Sequence, residues 1–231
     1  MYRMKKFLTP LLTFGAFAIL AYAESKRPLR RRVAAKRPRF ARNLAMGASA
    51  AGVTAIVQRP LLSKRRVKRP LRTFAGVLLL DYTLWWWHWL NHHAPLLWHF
   101  HRAHHLDPDL DVSTGIRFHP GELALSAFFR AAQVRILGVN DETLILWQRM
   151  LLVSILFHHS NLRLPQRVDR ALANVIATPR MHGIHHSNRY EDTDSNFASL
   201  FSWWDWLHGT MRLDVPQEMI TIGAPDVARL W

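Results

Sequence analysis

The sequence predicts an all-α protein, an integral-membrane helical bundle of about four to five membrane or re-entrant helices with a histidine-rich part at the helix ends. Three observations point there. Apolar runs recur at residues 7–23, 44–57, 73–90, 122–137 and 143–158. No stretch alternates apolar and polar residues as a half-buried strand does. The 14 histidines fall in tight groups, mostly beside those runs.

The first run follows three basic residues and ends in Ala21-Tyr22-Ala23, which imitates a signal-peptidase site. Lys26, Arg27 and Arg30 to Arg32 come directly after it, and such charge resists translocation, so an uncleaved anchor is favoured. Residues 44–57 are short and rich in Ala and Gly, and at about 1.5 Å per residue they barely span a hydrocarbon core, as half a hairpin would. In residues 73–90, Trp85, Trp86, Trp87 and Trp89 crowd one end like an interfacial aromatic belt. The runs at 122–137 and 143–158 read as helices. From Asn161 onward the chain is more polar and is expected at or below the membrane surface. Residues 1–42 thus form an anchor with a basic linker, and residues 43–231 one further domain.

With 31 Lys+Arg against 16 Asp+Glu, the formal charge of +15 raises the question of nucleic acid. Its placement answers otherwise. Nine basic residues lie within 24–42 and seven within 59–72, each block beside an apolar run, which suits anionic lipid headgroups and gives membrane lipids, not nucleic acid, as the partner. The absence of Cys excludes disulfides, thiolate zinc sites, iron–sulfur clusters and a cysteine nucleophile.

On a helix, positions i, i+3 and i+4 share a face. His101, His104 and His105 therefore converge, as do His182, His185 and His186, while His88 and His92 form an i, i+4 pair. Thr178 can cap a helix whose first residue is Pro179, placing the last triad in its first two turns. Burying so many imidazoles without partners costs free energy, so a shared ligand is the economical explanation. Two triads and a pair offer eight nitrogens, too many for one tetrahedral ion and enough for two ions with positions left for water or oxygen. Imidazoles alone do not choose the ion: a di-zinc hydrolase or a non-catalytic metal-binding or transport protein fits the same count.

HxxxH at His88, HxxHH at His101 and a final HxxHH at His182, with IRFHPGE, FHHSNLRLP and DSNFASLFSWWDWLHGT, resemble the fatty acid hydroxylase / sterol desaturase superfamily, in particular its small bacterial members. That resemblance implies integral-membrane non-haem di-iron enzymes. It carries over His88, His92, His101, His104, His105, His182, His185 and His186 as ligands, with at least one of His159 and His119 completing the shell. His93, His99, His158 and His208 read as non-ligands. Trp89 departs from the family, where Arg commonly follows the first histidine. His119-Pro120-Gly121-Glu122 imitates a haem-binding motif, but residues 106–158 leave no room for a haem domain.

The resemblance further implies two iron ions, with zinc a possible occupant of purified protein, and the use of dioxygen and a separate electron-donor protein to hydroxylate or desaturate a hydrophobic fatty acyl or sterol-type lipid. It implies a bacterial inner-membrane, multi-pass protein with its metal site facing the cytoplasm. Asp109, Asp111, Asp192, Asp194 and Asp205 are expected either to hydrogen-bond the ligands or to be solvated turn residues. A cytoplasmic site puts the start of residues 73–90 on the opposite side, next to the basic block 59–72. Either residues 44–57 do not fully span or charge is a poor guide to orientation here.

Overall fold

The computed structural model describes residues 2–62 and 71–225, with side chains from residue 13 onward. The basic residues 64–69 expected beside the second apolar run lie outside the described residues. Helices α1 (Tyr2–Lys26), α2 (Lys36–Val53), α3 (Arg59–Leu62), α4 (Thr73–His93), α5 (Pro95–His105), α6 (Pro120–Ile136), α7 (Asp141–His159), α8 (Gln166–Ala173), α9 (Pro179–His185), α10 (Tyr190–Thr193) and α11 (Trp203–His208) make up the fold. Among the described residues there is no strand, only isolated bridges such as Ile176 to Phe201. The all-α expectation holds.

Each helix has a local cause. Pro95, Pro120 and Pro179 open α5, α6 and α9, where proline's missing N–H is not needed. Asn140 caps α7, its Oδ1 accepting from Thr143 N at 2.9 Å, and Asp141 and Glu142 favour the positive end of the helix dipole. Gly138, at φ 60°, turns the chain between α6 and α7, and Gly209, at φ 69°, ends α11 in the left-handed conformation.

The second apolar run is longer than expected. A π turn at Thr54–Gln58 joins α2 to α3, and this continuous helix, Lys36–Leu62, is the one among the described residues long and apolar enough to cross a membrane. Its basic first turns escaped the sequence reading because they are not apolar.

α4 packs against α5 and α7, α6 against the π turn, and α1 and α9 against α7. Val77, Leu80, Val134, Val139, Leu144, Trp147 and Leu200 form one buried core; Trp85, Ala177, Met181, Phe197 and Ala198 form a second, next to the histidines. The stretch expected to be a basic linker is built into this fold. Glu24 accepts from Val112 N and Asn161 N, and Arg39 is fully buried against Asp107.

Gly183 on α9 sits where Arg30 crosses the helix. A Cβ there would lie 1.6 Å from Arg30 Nη2, which donates to Pro179 O at 3.0 Å and to Gln217. Gly183→Ala must push the guanidinium off both acceptors, at about 1–3 kcal/mol. The melting temperature should fall accordingly, and an unchanged one would show that Arg30 relocates freely.

Candidate metal centre

The ends of α4, α5, α7 and α9 bring nine histidines together in two groups. His88, His92, His101, His105 and His185 offer ligand nitrogens all within 4.8 Å of one another, and so do His104, His159, His182 and His186. All nine are buried.

The grouping follows helix geometry. Residues i and i+4 are about 40° apart, whereas i+3 and i+4 diverge by about 100°. In α5, His101 and His105 accordingly enter the first group and His104 the second. In α9 the exchange is reciprocal: His182 and His186 enter the second group and His185 the first. His105 and His186 stack at 4.2 Å between ring centroids and form the wall between the groups. Thr178 caps α9 as expected, its Oγ1 accepting from Met181 N at 3.4 Å.

Main-chain carbonyls fix the tautomers. His88 Nδ1 donates to Phe197 O at 2.6 Å, His104 Nδ1 to Arg117 O at 2.9 Å, His159 Nδ1 to Ile155 O at 2.8 Å and His185 Nδ1 to Ser195 O at 2.7 Å. A carbonyl only accepts, so the proton sits on Nδ1 and Nε2 carries a bare lone pair. Yet His88 Nε2 lies 3.1 Å from His185 Nε2, and His104 Nε2 lies 2.9 Å from His159 Nε2. Protonating one ring of each pair would relieve the repulsion, but burial opposes it: His104 is held down to about 3, and His159 and His185 well below the usual imidazole range. Two neutral lone pairs face to face are satisfied by a shared cation. Adjacent nitrogens about 3 Å apart are also what octahedral placement around one ion with about 2.1 Å bonds requires. The residues fit two metal ions.

The remaining ring nitrogens agree with this. His92 Nε2, His101 Nε2 and both nitrogens of His105 are buried without a hydrogen-bond partner. Burial, then crowding by His185 and His105, holds His92 well below the usual range. Burial alone brings His101 to about 3.

His119 stands apart. Its Nδ1 accepts from Gly121 N at 3.0 Å to cap α6, its ring packs on Phe100, and it belongs to neither group. His158 is buried with its ring 4.1 Å from that of His182, also outside both groups. His93 bonds Asp194 at 3.2 Å, and His208 stacks on Trp85. Trp89, where the family pattern has Arg, stacks on His93.

No hydrogen bond joins the five expected aspartates to the grouped histidines among the described residues. Asp205 acts one step further out: it accepts from the amides of Phe197 and Ala198 and from Trp85 Nε1, holding the carbonyl that orients His88. Asp109 and Asp111 pair with Arg39, and Asp192 with Arg212. The carboxylate that does touch a grouped histidine among the described residues is Glu122, accepting from His101 Nδ1 at 2.9 Å. A lone acid opening an apolar helix was its signal, and the haem-like context of His119-Pro120-Gly121-Glu122 hid it.

Beside the histidines lies a cavity of about 200 Å³, walled by Leu84, Trp87, Phe118, Glu122, Ile155 and His158 among others. An apolar pocket against two histidine groups, with tautomers set from behind, marks a site in a helical protein where histidines could hold metal ions. Comparison with known proteins agrees: the fatty acid hydroxylase family model matches residues 73–210, and the chain belongs to this family. It is 22% identical to human alkylglycerol monooxygenase over 150 residues, 63% of this chain and 32% of that protein. It is 28% identical to a cholesterol 25-hydroxylase-like protein of Danio rerio over 142 residues, 61% of this chain and 55% of the relative. A very-long-chain aldehyde decarbonylase of Oryza sativa subsp. indica is 27% identical over 133 residues, 58% of this chain and 49% of the relative. The chain thus spans about a third to just over half the length of these relatives. No solved structure matches it.

Proposed function

We propose that the chain is a membrane-bound di-iron oxygenase that hydroxylates or desaturates a lipid-like, fatty acyl or sterol-type substrate, drawing electrons from a separate donor protein. The observation that carries this reading is the face-to-face approach of Nε2 lone pairs in both histidine groups. Relatives named as monooxygenases and hydroxylases of lipids supply the reaction class. The ligands would be His88, His92, His101, His105 and His185 for one ion and His104, His159, His182 and His186 for the other.

Iron with dioxygen and external electrons would supply the power to oxidise an unactivated C–H bond. The chain's own residues do the rest. Phe197, Arg117, Ile155 and Ser195 carbonyls and the Glu122 carboxylate hold the rings in place. Trp87, Phe118 and Leu84 keep bulk water from the cavity and suit a hydrocarbon chain. Exposed Phe14, Ile19, Ile56, Phe74, Phe128 and Ile136 give the helices a surface for bilayer lipid. We place the protein in a bacterial inner membrane as a multi-pass protein, with residues 43–231 as its catalytic domain and the metal centre towards the cytoplasm.

Metal analysis of anaerobically purified protein tests the centre: two iron ions per chain, with oxygen consumption in the presence of lipid extract, are expected. One or two zinc ions and no oxygen consumption would overturn the oxygenase reading. Mass spectrometry of lipids from cells making the wild type or His104→Ala should show oxidised or desaturated species only with the wild type.

A further inference from the structure

A second cavity, about 510 Å³, lies between the π turn and α7 and is lined by Ala51, Thr54, Gln58, Trp147 and Leu152 among others. Arg130, Leu151 and Ile155 wall both this groove and the cavity at the histidines, so the two meet at these three side chains. The groove is mostly apolar and adjoins the helix Lys36–Leu62, the one long and apolar enough to cross a membrane among the described residues.

At the junction stands a cation. Arg130 lies over the Trp147 ring, 4.1 Å from its centroid, and hydrogen-bonds Gln133. Among the described residues no carboxylate forms an ion pair with it. Asp81 acts on it through space without ion-pair contact: its Oδ2 is taken by Phe201 N and Trp204 Nε1, and its buried Oδ1 has no hydrogen-bond partner. A half-buried guanidinium with no paired carboxylate calls for a partner. On α6, Glu122, Ser126 and Arg130 follow one another at i, i+4 and i+8 and line the cavity together. Along this stripe the backbone rises about 12 Å from Glu122, whose carboxylate holds His101, to Arg130.

We propose that Arg130 is the binding residue for the polar end of the substrate, a chain-terminal carboxylate, and that the acyl chain runs along the stripe to the metal centre. This rests on the reading that the centre oxidises a lipid, but its test needs no turnover.

Brominated palmitate and the matching brominated hexadecanol are titrated into the protein in lipid nanodiscs, reading quenching of tryptophan fluorescence, to which Trp147 contributes at the groove wall. Trp147→Phe identifies its share of the signal. The wild type should bind the carboxylate about tenfold more tightly than the alcohol, the scale of a charge-assisted hydrogen bond. Arg130→Gln should abolish that preference and Arg130→Lys should keep most of it. Equal binding of acid and alcohol by the wild type would overturn the proposal without any variant, so a poorly folding Arg130→Gln protein does not shelter it. A preference that survives in Arg130→Gln would overturn it too. Acid preference with no lipid oxidation would leave the site standing and remove only the oxygenase reading; oxidation without preference would do the reverse.

Discussion

His186→Ala should lower the metal content from about two ions per chain to about one, while His119→Ala should leave both in place. His186 is one of only four imidazoles in its group. Losing even a hydrogen-bond partner behind a ligand typically costs 10–100-fold in metal affinity, and losing the ligand itself should cost at least the upper end of that range. His92→Ala should be milder, because its group keeps four of five histidines. His119 is spent on capping α6, so its removal should cost about 1 kcal/mol of stability and no metal. Elemental analysis with thermal unfolding of the same preparations decides it. An ion lost from His119→Ala but retained by His186→Ala would invalidate the two groups as described.

Which histidines gather was legible in the sequence, because i, i+3 and i+4 spacing brings imidazoles onto one helix face. How they divide was legible only in part. His104 and His105, neighbours in the chain, belong to different groups, as do His185 and His186, because adjacent helical positions point about 100° apart. Which helices contribute to the same group depends on where α4, α5, α7 and α9 meet, which periodicity along one helix does not encode. Thr178 and Pro179 announced α9, and apolar runs announced α6 and α7. The carbonyls of Arg117, Ser195 and Phe197 that set the tautomers were invisible, since every residue has a carbonyl and only the folded chain shows which point inward. The burial of Arg39 within the basic stretch was invisible, because the aspartates that pair with it lie about 70 residues away in the chain.

Arg39 is the sharpest case, and Arg39→Met should destabilise the protein by about 3–5 kcal/mol, the usual cost of stripping one partner from buried ions. The side chain is 1% exposed. Its Nη1 donates to Asp107 Oδ2 at 2.7 Å and to Asp109 O at 3.2 Å, and its Nη2 pairs with Asp111. Without the guanidinium, three carboxylates would share one low-dielectric pocket with no cation in ion-pair contact among the described residues. The damage should also travel. Asn43 joins Asp107 at 2.8 Å to Arg117 at 2.9 Å, and the Arg117 carbonyl orients His104. Arg39→Met should therefore weaken metal binding by the His104 group about tenfold while leaving the His88 group nearly untouched. Arg39→Lys, which keeps the charge but loses the planar fork, should fall between. Adding Asp111→Asn to Arg39→Met should recover part of the stability, since it removes one stranded charge. Denaturant titration in detergent, with metal content measured on each variant, reads both effects. Wild-type stability in Arg39→Met would mean that these carboxylates are neutral or hydrated, and the basic segment would then be the tether its sequence resembles.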